Sequence, residues 1–169
     1  MYVNLCLQLA LNIDCTPVYF SKMTINVEGV PSNVAEFIKN FYAISDKRET
    51  TPEEYADNLF YDENTNFQIG PMQIAKDRES VQQWRSKAFE VVQTRKHTIH
   101  AVYCKAGKHV IDLSSPECML RGRVDYTLKD GKNSGADWGG HMVFEPSTLK
   151  EGAKPKMSQY SVWIVSTNL

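Results

Sequence analysis

Met119-Leu-Arg-Gly-Arg-Val-Asp-Tyr-Thr-Leu128 is the stretch of this sequence that decides its fold. Apolar or small residues alternate with charged or polar ones along it, which is the period of a β-strand with one face turned to a core. The inward set is Leu120, Gly122, Val124, Tyr126 and Leu128. Asp130-Gly131 follows and predicts a tight turn into a second strand over residues 137–145. We therefore expect a long antiparallel hairpin.

Further strands are expected on both sides of this hairpin. Residues 94–105 are dense in β-branched and aromatic side chains, and a loop rich in Pro, Gly and Lys at 146–156 precedes a last strand at 157–165. Two shorter strands are predicted at 67–69 and 110–113.

Helix periodicity is confined to the part of the chain before residue 93. The first helix has an apolar stripe made by Val34, Phe37, Ile38, Phe41 and Tyr42, with Asn33 and Glu36 placed as a capping box. The second begins after Thr51 with Pro52 as its first residue, and the third covers about 77–92. Helices followed by a meander of strands predict an α+β domain, with the helices on one face of a curved antiparallel sheet that encloses an apolar pocket.

Length and composition limit the classes of function. The chain has 169 residues, 42% of them apolar and 23% charged, which fits one globular domain at 23–169 preceded by an extension at 1–22. The net charge is −1 and no Lys/Arg run exceeds two residues, so no patch for nucleic acid is predicted. The apolar stretch at 3–11 is too short to span a membrane.

Neither a metal nor a cofactor is expected from the sequence. Cys6, Cys15, Cys104 and Cys118 form no C-x-x-C pair, so we predict neither a metal site nor a disulfide framework, and a reduced, cytoplasmic setting is the simplest expectation. A Gly-rich phosphate loop and a His/Cys cluster with ligand spacing are also missing from the sequence.

The order of several short motifs resembles a known family. Phe-Tyr-Ala-Ile-Ser-Asp at 41–46 is followed by a capped helix, Leu-Phe-Tyr-Asp-Glu at 59–63, Phe-Gln-Ile-Gly at 67–70, Asp-Arg-Glu-Ser-Val-Gln-Gln-Trp at 77–84, and His97 at the start of a strand. This pattern, over roughly 34–165, resembles the SnoaL-like group of the nuclear transport factor 2-like superfamily. The resemblance implies a cone-shaped barrel, in which a strongly bent, antiparallel or mixed sheet wraps around the N-terminal helices and leaves a pocket at the wide end. Members include polyketide cyclases, ketosteroid isomerases, limonene epoxide hydrolases, scytalone dehydratases and proteins without catalytic activity.

Asp46 and His97 are the catalytic candidates that the resemblance implies. In the dehydratases that the chain resembles, an Asp at the end of the first helix pairs with a His on the first long strand and holds it in one tautomer as a base. Asp46 could equally be a solvated residue after a helix, and His97 an ordinary strand residue. The candidate substrate-binding residues are Tyr42, Trp84, Leu120, Val124, Tyr126, Trp138 and Met142. They could equally be core residues.

Other conspicuous polar residues are expected outside the pocket. By strand alternation, the side chain of His100 points to the other face of the sheet from His97. In the same way, the side chain of His141 points to the other face from Trp138 and Met142. Arg121, Arg123 and Asp125 resemble the water-activating set of the epoxide hydrolases, yet alternation predicts an outer face or a dimer contact for all three.

The chain also departs from the family's known mechanisms. Gly140 falls where the polyketide cyclases carry an acid, their His-Thr-Gly loop is missing, and Val124 falls near the second catalytic His of scytalone dehydratase. The leading hypothesis is therefore a general one: a cofactor-independent lyase or isomerase that dehydrates, cyclises or enolises a hydrophobic oxygenated compound of secondary metabolism, such as a polyketide or terpenoid. The alternative is a non-catalytic ligand-binding or dimeric interaction module. In either case the resemblance implies a homodimer formed through the outer face of the sheet.

Overall fold

The α+β class predicted from the sequence is confirmed by the computed structural model, which describes residues 30–61, 65–105, 116–150 and 152–165. The helices are α1 (Ser32–Asp46), α2 (Pro52–Leu59) and α3 (Arg78–Lys87), with a short 3-10 helix at Pro146–Leu149. The strands are β1 (Asn66–Ile69), β2 (Met72–Ala75), β3 (Val92–Cys104), β4 (Glu117–Leu128), β5 (Asn133–Phe144) and β6 (Met157–Val165). The extension at 1–22 and the strand predicted at 110–113 lie outside the described residues.

The six strands form one mixed sheet in the order β2-β1-β6-β5-β4-β3. The pairing of β1 with β6 is parallel and every other pairing is antiparallel. Strands β2 and β3 are the two edges of this order, so the sheet is open rather than a closed barrel.

The alternation read from β4 places its side chains as expected. Leu120, Val124 and Leu128 are buried, whereas Arg121 and Asp125 are exposed. The turn that follows has Gly131 at φ +85°, a left-handed backbone conformation that glycine adopts without strain. This turn fixes the register between β4 and β5, and the register decides which residues face the helices.

The helix boundaries were predicted with mixed success. Thr51 caps α2 by accepting the Glu54 N–H, as the sequence indicated. The cap predicted for α1 at Asn33 is wrong: the helix already begins at Ser32, because Pro31 supplies the extended backbone before the first turn. Helix α3 ends at Lys87 and not near residue 92, because the chain from Val92 onward pairs with β4.

The core lies between the helices and the inner face of the sheet. All five residues of the apolar stripe on α1 are buried. Phe37 packs edge-on against Phe144 of β5 with ring centroids 5.3 Å apart, and Phe41 does the same with Tyr160 of β6 at 4.9 Å. These contacts pack the interior turns of α1 against β5 and β6 in the middle of the sheet.

A disulfide joins Cys104 at the end of β3 to Cys118 near the start of β4. The expectation that the cysteines form no disulfide is therefore wrong for this pair. Spacing alone could not reveal the bond, because it depends on the register that places residue 104 directly opposite residue 118. Disulfides are rare in cytosolic proteins, so the cytoplasmic setting stays a prediction with a weaker basis.

In the part of the chain that the structure describes, no helix is long and apolar enough to cross a membrane. The same residues contain no cluster of three or more His, Cys, Asp or Glu side chains arranged to hold a metal ion.

Candidate active site

A cavity of about 110 Å³ lies between the helices and the inner face of the sheet. Five of the predicted substrate-binding residues line it, together with His97: Tyr42, Trp84, Val124, Tyr126 and Trp138. The structure places Leu120 and Met142 elsewhere, since both are buried in the core and neither lines the cavity. Both face inward as expected. Leu120 pairs with Gly140 and Met142 pairs with Cys118, at a level of the sheet where the core is filled and the cavity does not extend.

Asp46 and His97 meet although 51 residues separate them in the sequence. Asp46 is the last residue of α1, and His97 lies in the first half of β3. One carboxylate oxygen of Asp46 is 2.5 Å from His97 Nδ1, and the other accepts the backbone N–H of His97 at 2.7 Å. Two contacts to one residue fix the carboxylate relative to the strand and leave little freedom for the imidazole to rotate.

The contact with Asp46 determines which ring nitrogen of His97 can do chemistry. A carboxylate accepts hydrogen bonds, so the neutral imidazole carries its proton on Nδ1. Nε2 makes no hydrogen bond to any described residue and keeps its lone pair. His97 lines the cavity whereas Asp46 does not, so the carboxylate reaches the cavity only through its contact with the imidazole.

Burial keeps the His97 ring neutral. Desolvation is the largest influence and lowers the pKa of His97 below its ordinary value of 6.5. The hydrogen bond and the charge of Asp46 oppose this shift, and the charge of Arg95 adds to it. A lowered pKa means that His97 is a free base at pH 7, as a general base requires.

Two tyrosine hydroxyls add neutral hydrogen-bond donors to the cavity. Tyr42 Oη and Tyr160 Oη are 3.2 Å apart, and both residues line the cavity. Burial raises the pKa of each phenol, so both keep their protons at any ordinary pH. One hydroxyl is used as the donor between the two, and the other remains able to donate to a ligand oxygen.

Two aromatic rings that stack on each other also pack against the imidazole. Trp138 stacks on Tyr42 with centroids 5.1 Å apart, and both rings contact His97, at 5.9 and 5.0 Å. Gly122 makes room for Trp138, because a Cβ there would lie 2.5 Å from the indole Cζ2 atom. The smallest residue on β4 therefore permits the largest residue on β5 to lie flat against the sheet.

Sequence reasoning missed four residues with polar groups that line the cavity: Ser45, Tyr55, Arg95 and Tyr160. Arg95 is two residues before His97, so strand alternation gives it the same facing, a signal that could have found it. Tyr160 lies in β6, where it and the next residue, Ser161, are both buried, so alternation alone does not identify the inward residue.

The remaining histidine and arginine candidates lie away from the cavity. His141 Nε2 is 2.8 Å from Glu117 Oε2, on the outer face of the sheet. Arg123 pairs with Asp125 and Asp137 on the same face. His100 falls where the register of β3 shifts between Ile99 and Ala101, and it does not line the cavity.

Known structures share this fold at low sequence identity. A superfamily member from Salmonella enterica described as nuclear transport factor 2-like has 11% identity and a TM-score of 0.62 over 80% of this chain and 91% of its own. A candidate scytalone dehydratase from Novosphingobium aromaticivorans has 9% identity and a TM-score of 0.63 over 79% and 83%. A hexachlorocyclohexane dehydrochlorinase of type 2 has 11% identity and a TM-score of 0.64 over 80% and 84%. No protein-family model and no curated protein sequence matches the chain.

Proposed function

On the basis of this nuclear transport factor 2-like fold and of the Asp46–His97 pair beside its cavity, we propose that the chain is a cofactor-independent lyase or isomerase acting on a small, hydrophobic, oxygenated compound. The observation that carries the proposal is the 2.5 Å contact between Asp46 and His97, which leaves Nε2 of a neutral imidazole as a base at the cavity wall. The dehydrochlorinase of the same fold and the candidate scytalone dehydratase are named for eliminations, the class of reaction that such a base serves.

The reaction proposed is a one-base proton transfer. His97 Nε2 removes a proton from the carbon next to a carbonyl group, and Asp46 stabilises the imidazolium through the Nδ1–H bond. The negative charge that develops on the carbonyl oxygen is stabilised by a hydroxyl of the Tyr42–Tyr160 pair. The imidazolium then returns its proton, either to another carbon, which gives an isomer, or to a departing hydroxyl, which gives water and an alkene. In ring closure the enolate carbon adds to a second carbonyl carbon of the same molecule, the π bond of that carbonyl breaks, and the imidazolium gives its proton to the alkoxide that forms.

Substrates from secondary metabolism, such as polyketides or terpenoids, belong to this proposal, and the cavity limits their size. A cavity of about 110 Å³ is of the same order as the engineered one of roughly 150 Å³ that admits benzene. The reacting part of the substrate is therefore about one ring. Ile164, which lines the cavity and is 37% exposed, lies at its opening, where a larger substrate could extend outward.

Deuterium exchange tests the proposal without knowledge of the natural substrate. We expect the protein to accelerate exchange of the α-protons of at least one single-ring ketone (cyclohexanone, cyclohexenone or acetophenone) in D₂O, followed by proton NMR. His97→Gln should reduce the rate by about a hundredfold or more, as expected for loss of a general base, and Asp46→Asn by less. His141→Gln is the matched control, because His141 also pairs with a carboxylate but on the outer face. No acceleration with any ketone, or equal acceleration by His97→Gln, would contradict the proposal.

The second candidate function is a dimeric interaction module, and the outer face of the sheet favours it. Tyr103, Met119, Trp163 and Val165 are 58%, 48%, 44% and 52% exposed, although all lie on strands. Tyr103 and Met119 lie opposite each other on β3 and β4, and Trp163 and Val165 lie on β6, beyond β5. Exposed apolar side chains of this size on one face of a sheet are typical of a protein contact. The partner we propose is a second copy of the chain, and a dimer is compatible with either function. In sedimentation equilibrium, Met119→Lys with Trp163→Ser should convert a dimer to a monomer, and a monomeric wild type would contradict the dimer.

A further inference from the structure

We propose that Arg95 is the ligand-anchoring residue of the cavity and that the ligand is a single-ring compound carrying a carboxylate. This deepens the proposed function by naming its substrate class, and it rests on that function for the identity of the cavity. It is nevertheless testable by binding alone, because Arg95 recognises charge whereas His97 moves a proton.

Arg95 brings a cationic side chain to the cavity wall. The side chain is only 9% exposed and lines the cavity on the same face of β3 as His97. The guanidinium donates to the Ser45 carbonyl through Nη2. Nε is fully buried 3.6 Å from the nearest Asp46 oxygen, so it is compensated by that carboxylate and closed to a ligand. Nη1 makes no hydrogen bond to the described residues and is not among the fully buried atoms, so it is the donor that a ligand oxygen can use.

The charges around this end of α1 favour an anion. Arg85 is only 3% exposed. The guanidinium groups of Arg85 and Arg95 both contact the ring of Phe89, with Cζ atoms 5.0 and 4.9 Å from the ring centroid. The hydrogen-bond partners of Arg85 are backbone carbonyls at the end of α1 rather than carboxylates. Asp46, whose side chain is 20% exposed, is the carboxylate beside Arg95, and Glu54 is exposed. Two cations beside one half-buried carboxylate leave an excess positive charge that a ligand carboxylate would neutralise.

Trp138 supplies an apolar wall rather than a hydrogen-bond donor. It lines the cavity, but its Nε1 is fully buried, so this nitrogen cannot reach a ligand there. The cavity has aromatic walls and a volume of about 110 Å³, which fits one apolar ring as the remaining part of the ligand.

Benzoate and benzamide are suitable probes, because they have nearly the same shape and differ in charge. At pH 7.5, isothermal titration calorimetry should show that the wild type binds benzoate about tenfold more tightly or better, since charge-assisted hydrogen bonds are roughly twice as strong as neutral ones. Arg95→Met should abolish that preference, and Arg95→Lys should retain part of it. A merely structural role for Arg95 would weaken both ligands alike and leave their ratio unchanged.

The same titrations show whether the inference is wrong. Wild-type protein that binds neither probe, or binds benzamide as tightly as benzoate, overturns it without any variant, so a misfolded Arg95→Met cannot obscure the result. An unchanged ratio in a folded Arg95→Met overturns it as well. His97→Gln should keep the benzoate preference while losing deuterium exchange. Wild-type protein that prefers benzoate but does not accelerate exchange counts against the proposed function alone, and wild-type protein that accelerates exchange without the preference counts against the role of Arg95 alone.

Discussion

Gly122→Ala tests whether the wall of the cavity is built as described. A Cβ at Gly122 would lie 2.5 Å from Cζ2 of Trp138 and closer still to the Thr98 carbonyl oxygen, whereas real Cβ contacts essentially never fall below 3.0 Å. The carbonyl cannot withdraw, because β3 is held by its pairing with β4, where residue 99 lies opposite Gly122. The indole must therefore move, or the two strands must separate.

The size of the effect follows from a comparison with Gly139→Ala. Gly139 lies on β5 opposite Arg121, and a Cβ there would meet only the Leu120 carbonyl oxygen at 3.9 Å, an ordinary contact. Each substitution lowers the entropy of the unfolded chain by a similar amount, so this contribution cancels when the two variants are compared. What remains is the cost of overpacking at Gly122, about 1–3 kcal/mol.

Urea denaturation of the two variants, followed by tryptophan fluorescence, measures this difference. Gly122→Ala should lower the free energy of unfolding by about 1–3 kcal/mol relative to Gly139→Ala, and it should alter the native emission of Trp138. Equal stability of the two variants, with unchanged native fluorescence, would refute the close packing of Trp138 on Gly122 and with it the described shape of the cavity.

Three further perturbations have defined outcomes. Reducing the Cys104–Cys118 disulfide, whose sequence separation is 14, should lower the free energy of unfolding by about 3 kcal/mol in urea titrations, by the loop-entropy relation; an unchanged midpoint argues against the bond. Tyr160→Phe leaves the buried Tyr42 hydroxyl without its partner and should lower the free energy of unfolding by about 1 kcal/mol. An unchanged free energy of unfolding would contradict the contact between the two hydroxyls. His97, with its pKa lowered by burial, binds a proton more readily when unfolded, so stability should fall as pH drops below about 6.5 and level off below the folded pKa. His97→Gln should flatten that decline, and an unchanged pH profile would contradict burial of the neutral ring.

Local patterns in the sequence were sufficient to predict most of the fold. The alternation of β4 and the Asp130-Gly131 turn specify a hairpin through contacts between near neighbours, and Thr51 caps α2 through a bond spanning three residues. Strand β2, which pairs with β1 across the turn at Gly70, was not predicted from the sequence.

The candidate site depends on contacts that no local pattern encodes. Asp46 and His97 were proposed from a resemblance, and their contact across 51 residues is a property of how α1 lies over β3. Leu120 and Met142 point to the predicted face of the sheet, but they lie at positions along their strands that the cavity does not reach. How far the cavity extends along a strand cannot be read from alternation. Arg95 shares the facing of His97, yet a charged residue on an inward position becomes credible only once the end of α1 is known to accept its hydrogen bond.

The protonation state of His97 is the most direct test of the account, because the proposed chemistry requires a neutral ring with a bare Nε2. Long-range proton–nitrogen NMR between pH 5 and 8 can measure it, with His97→Gln used to assign the signals. We expect the proton on Nδ1 at pH 7.5, a pKa below 6.5, and a further decrease in that pKa in Asp46→Asn, since the hydrogen bond and charge of Asp46 raise it. A proton on Nε2 at pH 7.5, or a pKa at or above 6.5, would contradict the role of His97 as the base.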